Sequence, residues 1–216
     1  MSSARATNRP NNRSGSPTVV PQGSPAENVV PAVARFADPG PLGLAAFALT
    51  TFVLSFANAG LIPGAGAAVL GLALFYGGTV QVIAGIWEFA NKNTFGATAF
   101  CTYGAFWLAF WYLVSTKGDA AAGSGGVGIF LIAFGIFTLY MTIAALRTNL
   151  ALVAVFAFLT LTYFALGIGA AASADALSKL GGWLGIITAL LAWYTSFAGV
   201  LNSTYRRVVL PVFPRA

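Results

Sequence analysis

The chain has 216 residues, of which 58% are hydrophobic and 7% are charged, and its formal net charge is +6. A soluble domain carries about 25% charged residues, so this composition excludes an ordinary soluble fold and indicates a protein that lies in lipid. The sequence has no histidine and five scattered acidic residues, which argues against zinc, haem and histidine proton-relay sites, and we expect neither a cofactor nor an enzyme.

Residues 1–35 are rich in serine, asparagine, proline and glycine and contain almost no large apolar side chains. Such a segment buries too little apolar surface to offset the entropy of ordering it. It also lacks the apolar core of a signal peptide. We predict a disordered cytoplasmic tail, which either has no partner or serves a regulatory or interaction role.

Six continuously apolar stretches follow, each close to the length of about 20 helical residues that crosses a bilayer. They run over residues 43–62, 67–89, 97–116, 127–146, 150–172 and 182–202. We interpret the glycine-rich stretch after Lys117 and the polar stretch from Ser173 to Lys179 as connections. Because the stretches are continuously apolar rather than alternating, we do not expect a transmembrane β-barrel. The sequence predicts an all-α polytopic membrane protein with six transmembrane helices in a domain over 36–205, followed by a short cytoplasmic tail over 206–216.

The distribution of positive charge predicts the orientation, because cytoplasmic loops are enriched in lysine and arginine. With six spans, both tails and the loops after the second and fourth spans lie on one side. That side carries Arg5, Arg9, Arg13, Arg35, Lys92, Arg147, Arg206, Arg207 and Arg215, whereas the other carries Lys117 and Lys179. We therefore expect both termini in the cytoplasm and the protein in the plasma membrane, and we read the net charge as topology rather than as nucleic-acid binding.

Polar residues recur on one face of the first predicted span. Phe47, Thr51, Leu54 and Asn58 are spaced so that they share one side of a 3.6-residue helix, and Thr50 lies beside them. Hydroxyl and amide groups inside a bilayer either bind neighbouring helices or line a water-filled pathway. Both interpretations stay open at this point.

The second span places Gln81 and Glu88 seven residues apart and hence on one face. Glu88 lies near the predicted cytoplasmic end of the span, close to Lys92. It is either an interfacial or ion-paired carboxylate or a titrating group in the mouth of a pathway.

The third and fifth spans each carry a mainly aromatic or apolar face. These faces are Tyr103, Phe106, Trp107 and Phe110 in the third span, and Leu159, Thr162, Tyr163 and Leu166 in the fifth. Such faces form helix contacts more often than ligand sites. No lysine or arginine lies deep in any span, so an anion could be bound only by neutral donors and helix N-termini. We expect weak binding and fast passage.

Three runs resemble the acetate uptake transporter family. They are Asp38 to Leu44, which reads Asp-Pro-Gly-Pro-Leu-Gly-Leu, then Asn93 to Phe100, and then Tyr103 to Trp107. The family motif for the first run is Asn-Pro-Ala-Pro-Leu-Gly-Leu, so Asp38 stands where the family has asparagine. A carboxylate there is expected to repel an anion unless it is protonated.

The resemblance implies a six-helix channel or transporter for acetate, with succinate and other short carboxylates as further candidates, assembled as a homo-hexamer with one pore in each protomer. It implies a hydrophobic constriction formed by Phe47, Tyr103 and Leu159. The resemblance and the polar faces together give the predicted pore-lining residues as Asp38, Pro39, Leu42, Thr50, Thr51, Asn58, Gln81 and Glu88. Whether protons accompany the carboxylate is left open.

Two other functions are compatible with this sequence. A channel for a small neutral solute such as urea or ammonia would equally tolerate a pathway without cations. A membrane anchor or assembly subunit would need no pathway at all. Flux measurements on the purified protein distinguish the three possibilities.

Overall fold

The computed structural model describes residues 36–215, and these residues are almost entirely helical. The tail predicted over residues 1–35 lies outside the described residues, as does residue 216. Seven α-helices and one π-helix follow one another along the chain. They are α1 (Gly40–Asn58), α2 (Ala65–Leu74), the π-helix (Phe75–Val80), α3 (Gln81–Ala90), α4 (Thr94–Ser115), α5 (Gly118–Ala145), α6 (Leu150–Ala171) and α7 (Asp175–Tyr205).

Six helical spans in residues 36–215 are long and apolar enough to cross a membrane. One of them combines α2, the π-helix and α3 into a single 26-residue span, Ala65–Ala90. The other five are α1, α4, α5, α6 and α7. The predicted all-α class with six transmembrane helices is confirmed.

Two predicted connections are wrong, because the helices continue through them. α5 begins at Gly118 and takes up the glycine-rich stretch, with a kink at Gly123, whose φ of 64° is accessible to a glycine without strain. α7 begins at Asp175, and Lys179 Nζ lies 2.6 Å from Asp175 Oδ2 one turn later. An acidic residue in the first turn and an ion pair at this spacing both stabilise a helix start. Polar composition therefore marked the ends of the apolar stretches but not the ends of the helices.

The helices pack through close backbone contacts. α7 packs against both α1 and α6, α5 packs against α6, and α4 packs against α3. A side chain on Gly182 of α7 would overlap the backbone of Ala59 at the end of α1. Small residues of this kind let membrane helices approach closely, which replaces the hydrophobic driving force that lipid does not supply.

The π-helix changes the face that the second span presents to α1. Its wider turn inserts one extra residue, so the residues after it are rotated relative to an uninterrupted α-helix. A Cβ atom on Gly77 would lie 2.6 Å from Thr50 Oγ1, so α1 and the π-helix touch at this point. The Thr50 hydroxyl donates to Ala46 O at 2.9 Å and is fully buried. Thr50 is therefore a helix-packing residue here.

The chain after α7 folds back onto the bundle. Asn202 Oδ1 accepts hydrogen bonds from Val209 N at 2.7 Å and Leu210 N at 3.0 Å, which closes the turn. Tyr194 OH donates to Pro211 O at 2.7 Å, and Leu150 N donates to Phe213 O at 3.0 Å. The described part of the predicted tail, 206–215, thus binds the start of α6 and the last turns of α7.

Candidate functional site

Two cavities lie inside the helical bundle and share part of their walls. The first has a volume of about 240 Å³ and the second about 300 Å³. Phe47 of α1 and Leu159 of α6 line both cavities, and Tyr103 of α4 lines the first. Phe47 and Leu159 therefore lie where the two cavities meet, and Tyr103 packs against Phe47 in the wall of the first. We call these three side chains the constriction, after the role that the sequence predicts for them.

The constriction is tightly packed. Phe47, Tyr103 and Leu159 each expose 4% of their surface or less. The ring centroids of Phe47 and Tyr103 are 5.7 Å apart, which is within ordinary contact for two aromatic side chains. The Tyr103 ring also packs against Phe156 at 6.1 Å and stacks on Tyr163 at 6.5 Å. In this conformation the cavities are separated by apolar side chains.

The first cavity ends at a pair of carboxylates. Asp38 Oδ1 accepts a hydrogen bond from Gly40 N at 2.8 Å, and Glu88 Oε2 accepts one from Asn93 Nδ2 at 2.8 Å. A Cβ atom on Gly40 would lie 3.0 Å from Asp38 Oδ1 and 3.4 Å from Glu88 Oε1, so both carboxylates face the same glycine. Two carboxylates this close repel each other when both are ionised, and an ionised carboxylate also repels an anion that enters.

Glu88 is held by Asn93 rather than by Lys92. Within residues 36–215 the ion pair that forms is Lys179–Asp175, so Glu88 does not pair with the nearby Lys92. Glu88 lies near the end of the span Ala65–Ala90, as expected, and it is 2% exposed, so it is buried within the helical bundle. Lys92 is exposed and adopts a left-handed φ of 59° in the turn before α4. Glu88 therefore lies in the wall of the first cavity with an amide as its partner.

Gln81 contributes an unpaired amide to the first cavity. It is fully buried, and neither its Oε1 nor its Nε2 has a hydrogen-bond partner among the described residues. Leaving a buried polar group unpaired costs about 1–3 kcal/mol. A solute or water with both a donor and an acceptor would satisfy this amide.

The second cavity is lined by the faces that helical spacing groups together. Phe47, Thr51, Leu54 and Asn58 of α1 all lie in its wall, as do Leu159, Thr162, Tyr163 and Leu166 of α6, and Phe106, Trp107 and Phe110 of α4. Among residues 36–215, Thr51 Oγ1 and Trp107 Nε1 are buried without a hydrogen-bond partner. This cavity has one carboxylate, Asp119, in its described wall.

The remaining predicted pore residues lie elsewhere. Pro39, Leu42 and Thr50 line neither of the cavities formed by residues 36–215. Leu42 is 45% exposed, whereas Pro39 is buried at the start of α1. Helical periodicity predicts which residues share a face, but the packing of the neighbouring helices determines whether that face lines a cavity.

Sequence reasoning missed several residues that line the first cavity: Phe156, Asn149, Asn202, Thr195 and Val212. Asn149 had a signal, because an asparagine directly before an apolar run is a strong helix N-cap. Its Oδ1 accepts from Leu152 N at 2.9 Å. The others had no local signal, because each reaches the cavity only through the packing of α6, α7 and the C-terminal segment.

No lysine or arginine in the described part of the chain lines either cavity. An anion inside them would be bound by amides, hydroxyls and an indole N–H, all of which are neutral donors. Such a set can replace part of the hydration of a small anion but cannot hold it tightly. The arrangement suits passage of a small polar solute rather than its storage.

The sequence pattern of the GPR1/FUN34/yaaH family matches residues 22–215. The chain belongs to this family. The resemblance inferred from the motifs is thereby confirmed.

Two fungal relatives cover most of the chain. Acetate permease A of Emericella nidulans is 41% identical over 200 residues, which cover 82% of this chain and 66% of the relative. Ammonia transport outward protein 2 of Saccharomyces cerevisiae is 41% identical over 180 residues, which cover 78% of this chain and 63% of the relative. The chain thus spans about two thirds of the length of these fungal proteins.

Bacterial relatives match over nearly their whole length. The succinate-acetate/proton symporter SatP of Escherichia coli is 37% identical over 181 residues, which cover 82% of this chain and 96% of the relative. The solved structure of the bacterial acetate channel SatP superimposes with a TM-score of 0.79 at 36% identity, and the match covers 82% of this chain and 99% of that chain. With its six membrane-capable helices, this family member is an integral membrane protein.

Proposed function

We propose that this protein is a channel or transporter for acetate, with succinate and other short carboxylates as further substrates. The observation that carries the proposal is the pair of cavities that meet at apolar Phe47 and Leu159. The names of the relatives, an acetate permease, a succinate-acetate/proton symporter and an acetate channel, support the substrate class.

The physics of a small carboxylic acid supports the same assignment. With a pKa near ~4.3, only about one molecule in 500 is neutral at pH 7. The anion is costly to move through hydrocarbon, so a protein path that offers neutral donors on both sides of a short apolar segment accelerates its passage. An apolar constriction also rejects bulky or strongly hydrated solutes.

The roles of the site residues follow from their positions. Phe47, Tyr103 and Leu159 select by size. In the first cavity, Asp38 and Glu88 set the charge at the mouth, and the Gln81 amide binds the carboxylate on its way to the constriction. In the second cavity, Thr51 and Asn58 bind it on the other side.

Glu88 and Asp38 are the candidates for coupling the carboxylate to a proton. Both carboxylates face Gly40 in the wall of the first cavity, and the Escherichia coli relative is named a proton symporter. A pH-sensitive dye inside proteoliposomes tests this role in Glu88→Gln and Asp38→Asn. Loss of acetate-driven pH change with retained acetate flux in Glu88→Gln supports coupling, whereas an unchanged ratio of the two contradicts it.

The protein lies in the plasma membrane with both termini in the cytoplasm, a placement supported by the nine-to-two distribution of lysine and arginine. Reporter enzymes fused to each terminus should be active only on the cytoplasmic side. An active external fusion at the carboxyl terminus would contradict the orientation.

The protein assembles as a homo-hexamer with a pore in each protomer. Large apolar side chains on the outer surface, including Phe75 and Ile129, are 60% exposed or more and are available for contacts with lipid or with other protomers. Light scattering on the detergent-solubilised protein, corrected for bound detergent, measures the number of protomers.

The decisive experiment is flux into proteoliposomes that contain only this protein. Labelled acetate should enter much faster than into empty liposomes, and faster than urea or methylammonium. A protein that moves none of these solutes would be an anchor or assembly subunit, and the proposal would be wrong.

A channel for ammonia is the second candidate. A Saccharomyces cerevisiae relative with 41% identity carries ammonia transport in its name. Cavity walls without lysine or arginine among residues 36–215 are also compatible with passage of a neutral solute. Faster uptake of ammonia or methylammonium than of acetate in the same liposomes would favour it.

A further inference from the structure

The hydroxyl group of Tyr103 is bound by a residue outside both cavities. Tyr103 Oη lies 2.9 Å from Thr138 Oγ1 of α5. Thr138 is fully buried and lines neither of the cavities formed by residues 36–215. One end of Tyr103 therefore forms the constriction, and the other end is attached to α5.

Counting hydrogens shows which hydroxyl is the donor. Each of the two hydroxyls carries one hydrogen. Thr138 Oγ1 lies 2.7 Å from Phe134 O, to which it donates. The Thr138 oxygen is then the acceptor in its bond with Tyr103, and Tyr103 is the donor. The single hydroxyl proton of Tyr103 is thus directed at α5 and not at a solute in the cavity.

The other contacts of the Tyr103 side chain are aromatic. Its ring lies against Phe47 at 5.7 Å, against Phe137 edge-on at 5.3 Å, and against Phe156 at 6.1 Å. Aromatic contacts allow a range of offset and tilted arrangements, so they restrict the ring less sharply than a hydrogen bond at its far end. The bond to Thr138 is the directional contact that sets where the ring stands.

We propose that Thr138 is a positioning residue for the constriction, because its hydroxyl holds Tyr103 in the orientation that narrows the passage. This inference rests on the proposed transport function, since it concerns which carboxylates pass. It assigns Tyr103 a steric role, and it places one determinant of the size limit on a helix that the substrate does not contact at this point.

The test removes the hydroxyl without changing the shape of the residue. Thr138→Val in proteoliposomes should keep acetate flux. It should lower the acetate-to-butyrate flux ratio by about tenfold, which is the lower end of the discrimination that one methylene group gives in an apolar pocket. Thr138→Ser retains the acceptor and the donor, so it should restore the parent ratio. Tyr103→Phe breaks the same bond from the other side and should lower the acetate-to-butyrate flux ratio to the same extent, even if Thr138→Val fails to fold.

A double-mutant cycle on Thr138 and Tyr103 distinguishes positioning of Tyr103 by Thr138 from a general loosening of the helix packing. If the two hydroxyls act through one bond, the double variant Thr138→Val/Tyr103→Phe should have the ratio of either single variant. Effects that multiply in the double variant would overturn the proposal.

Thr142 supplies a matched control one turn further along α5. Its Oγ1 lies 2.9 Å from Thr160 Oγ1, which is also a contact with a neighbouring helix, and donates to the backbone carbonyl of Thr138 at 2.8 Å, so its removal leaves the Thr138 hydroxyl in place. Thr142→Val should leave the flux ratio within twofold of the parent. An equal change in Thr142→Val and Thr138→Val would mean that any loosening of α5 widens the passage, and positioning by Thr138 would be wrong.

A second readout does not depend on transport. In protein labelled with ¹³C in its tyrosine rings, Tyr103 is assigned by the signal that Tyr103→Phe removes. Thr138→Val should shift this signal, whereas Thr142→Val should not, and an unshifted signal would overturn the proposal. A parent protein that moves no carboxylate would overturn the proposed function alone, because the tyrosine signal still decides whether Thr138 holds the ring.

Discussion

The two cavities differ in charge although they meet at the same apolar side chains. The first ends at Asp38 and Glu88, whose carboxylates face one glycine. The second is lined by aliphatic, aromatic and hydroxyl side chains and has Asp119 in its described wall. In both, buried polar atoms next to the constriction lack partners among residues 36–215: the Gln81 amide on one side, and Thr51 Oγ1 and Trp107 Nε1 on the other.

This difference separates two kinds of control. Under the proposed function, we expect charge at the mouth of the first cavity to change how often an anion enters. We expect the size of the constriction to change which solutes pass at all. Substitutions at the two places should therefore alter different quantities.

The largest effect is expected at Leu159. Leu159→Ala removes a side chain common to both cavities, so lactate-sized and larger carboxylates should pass while acetate still passes. Discrimination between acids that differ by one methylene should fall by about 10–200-fold, which is what one methylene is worth in an apolar pocket. Competition of unlabelled acids with labelled acetate measures the size limit.

Leu161→Ala is the control for that change. Leu161 lies on the same helix but is 54% exposed, so its truncation should leave the size limit unchanged. An identical size limit in the parent and in a folded Leu159→Ala protein would mean that the two cavities are not joined at Leu159.

A smaller effect is expected at Gln81. Gln81→Met replaces an unpaired buried amide with an apolar side chain of similar size, so the free energy of unfolding should stay the same or rise. Acetate flux should nevertheless fall, by about tenfold if one hydrogen bond to the carboxylate is lost. Thermal unfolding and flux are measured on the same preparation.

Thr188→Val provides the contrast for Gln81. Thr188 is fully buried, and its hydroxyl donates to Leu184 O at 2.8 Å. Loss of a satisfied bond should lower stability and leave flux unchanged. If Gln81→Met loses stability to the same extent as Thr188→Val, the amide has a structural partner and is not available to a solute.

The smallest effect is expected at the mouth. Asp38→Asn removes a charge at an exposed position. Two unit charges about 7 Å apart in water interact by about 0.6 kcal/mol, which corresponds to about threefold in rate. Acetate flux at neutral pH should rise by that factor at low salt, and the gain should shrink at high salt because exposed charges are screened.

Asp119→Asn applies the same change to the second cavity. It should raise flux only for acetate that enters from that side, which oriented proteoliposomes can measure. A large loss of flux in folded Asp38→Asn would contradict the repulsion argument and make the carboxylate itself necessary.

Much of the architecture was predictable from the sequence. Six apolar stretches near bilayer length predict six helical spans, since only helices and closed barrels satisfy the backbone in lipid and the stretches lack the alternation of barrel strands. The helical period grouped Phe47, Thr51, Leu54 and Asn58, and the structure has all four in the wall of one cavity. The family followed from ordered motifs between Asp38 and Trp107.

Only the tertiary structure decided what those faces touch. Thr50 and Thr51 are neighbours, yet one packs against the π-helix at Gly77 and the other lies in a cavity wall. The partner of Tyr103 is Thr138, 35 residues away on another helix. Glu88 binds Asn93 although Lys92 is adjacent in sequence. Helical periodicity is a local property of the chain, whereas hydrogen-bond partners and cavity walls depend on how the helices pack, which short-range sequence patterns do not encode.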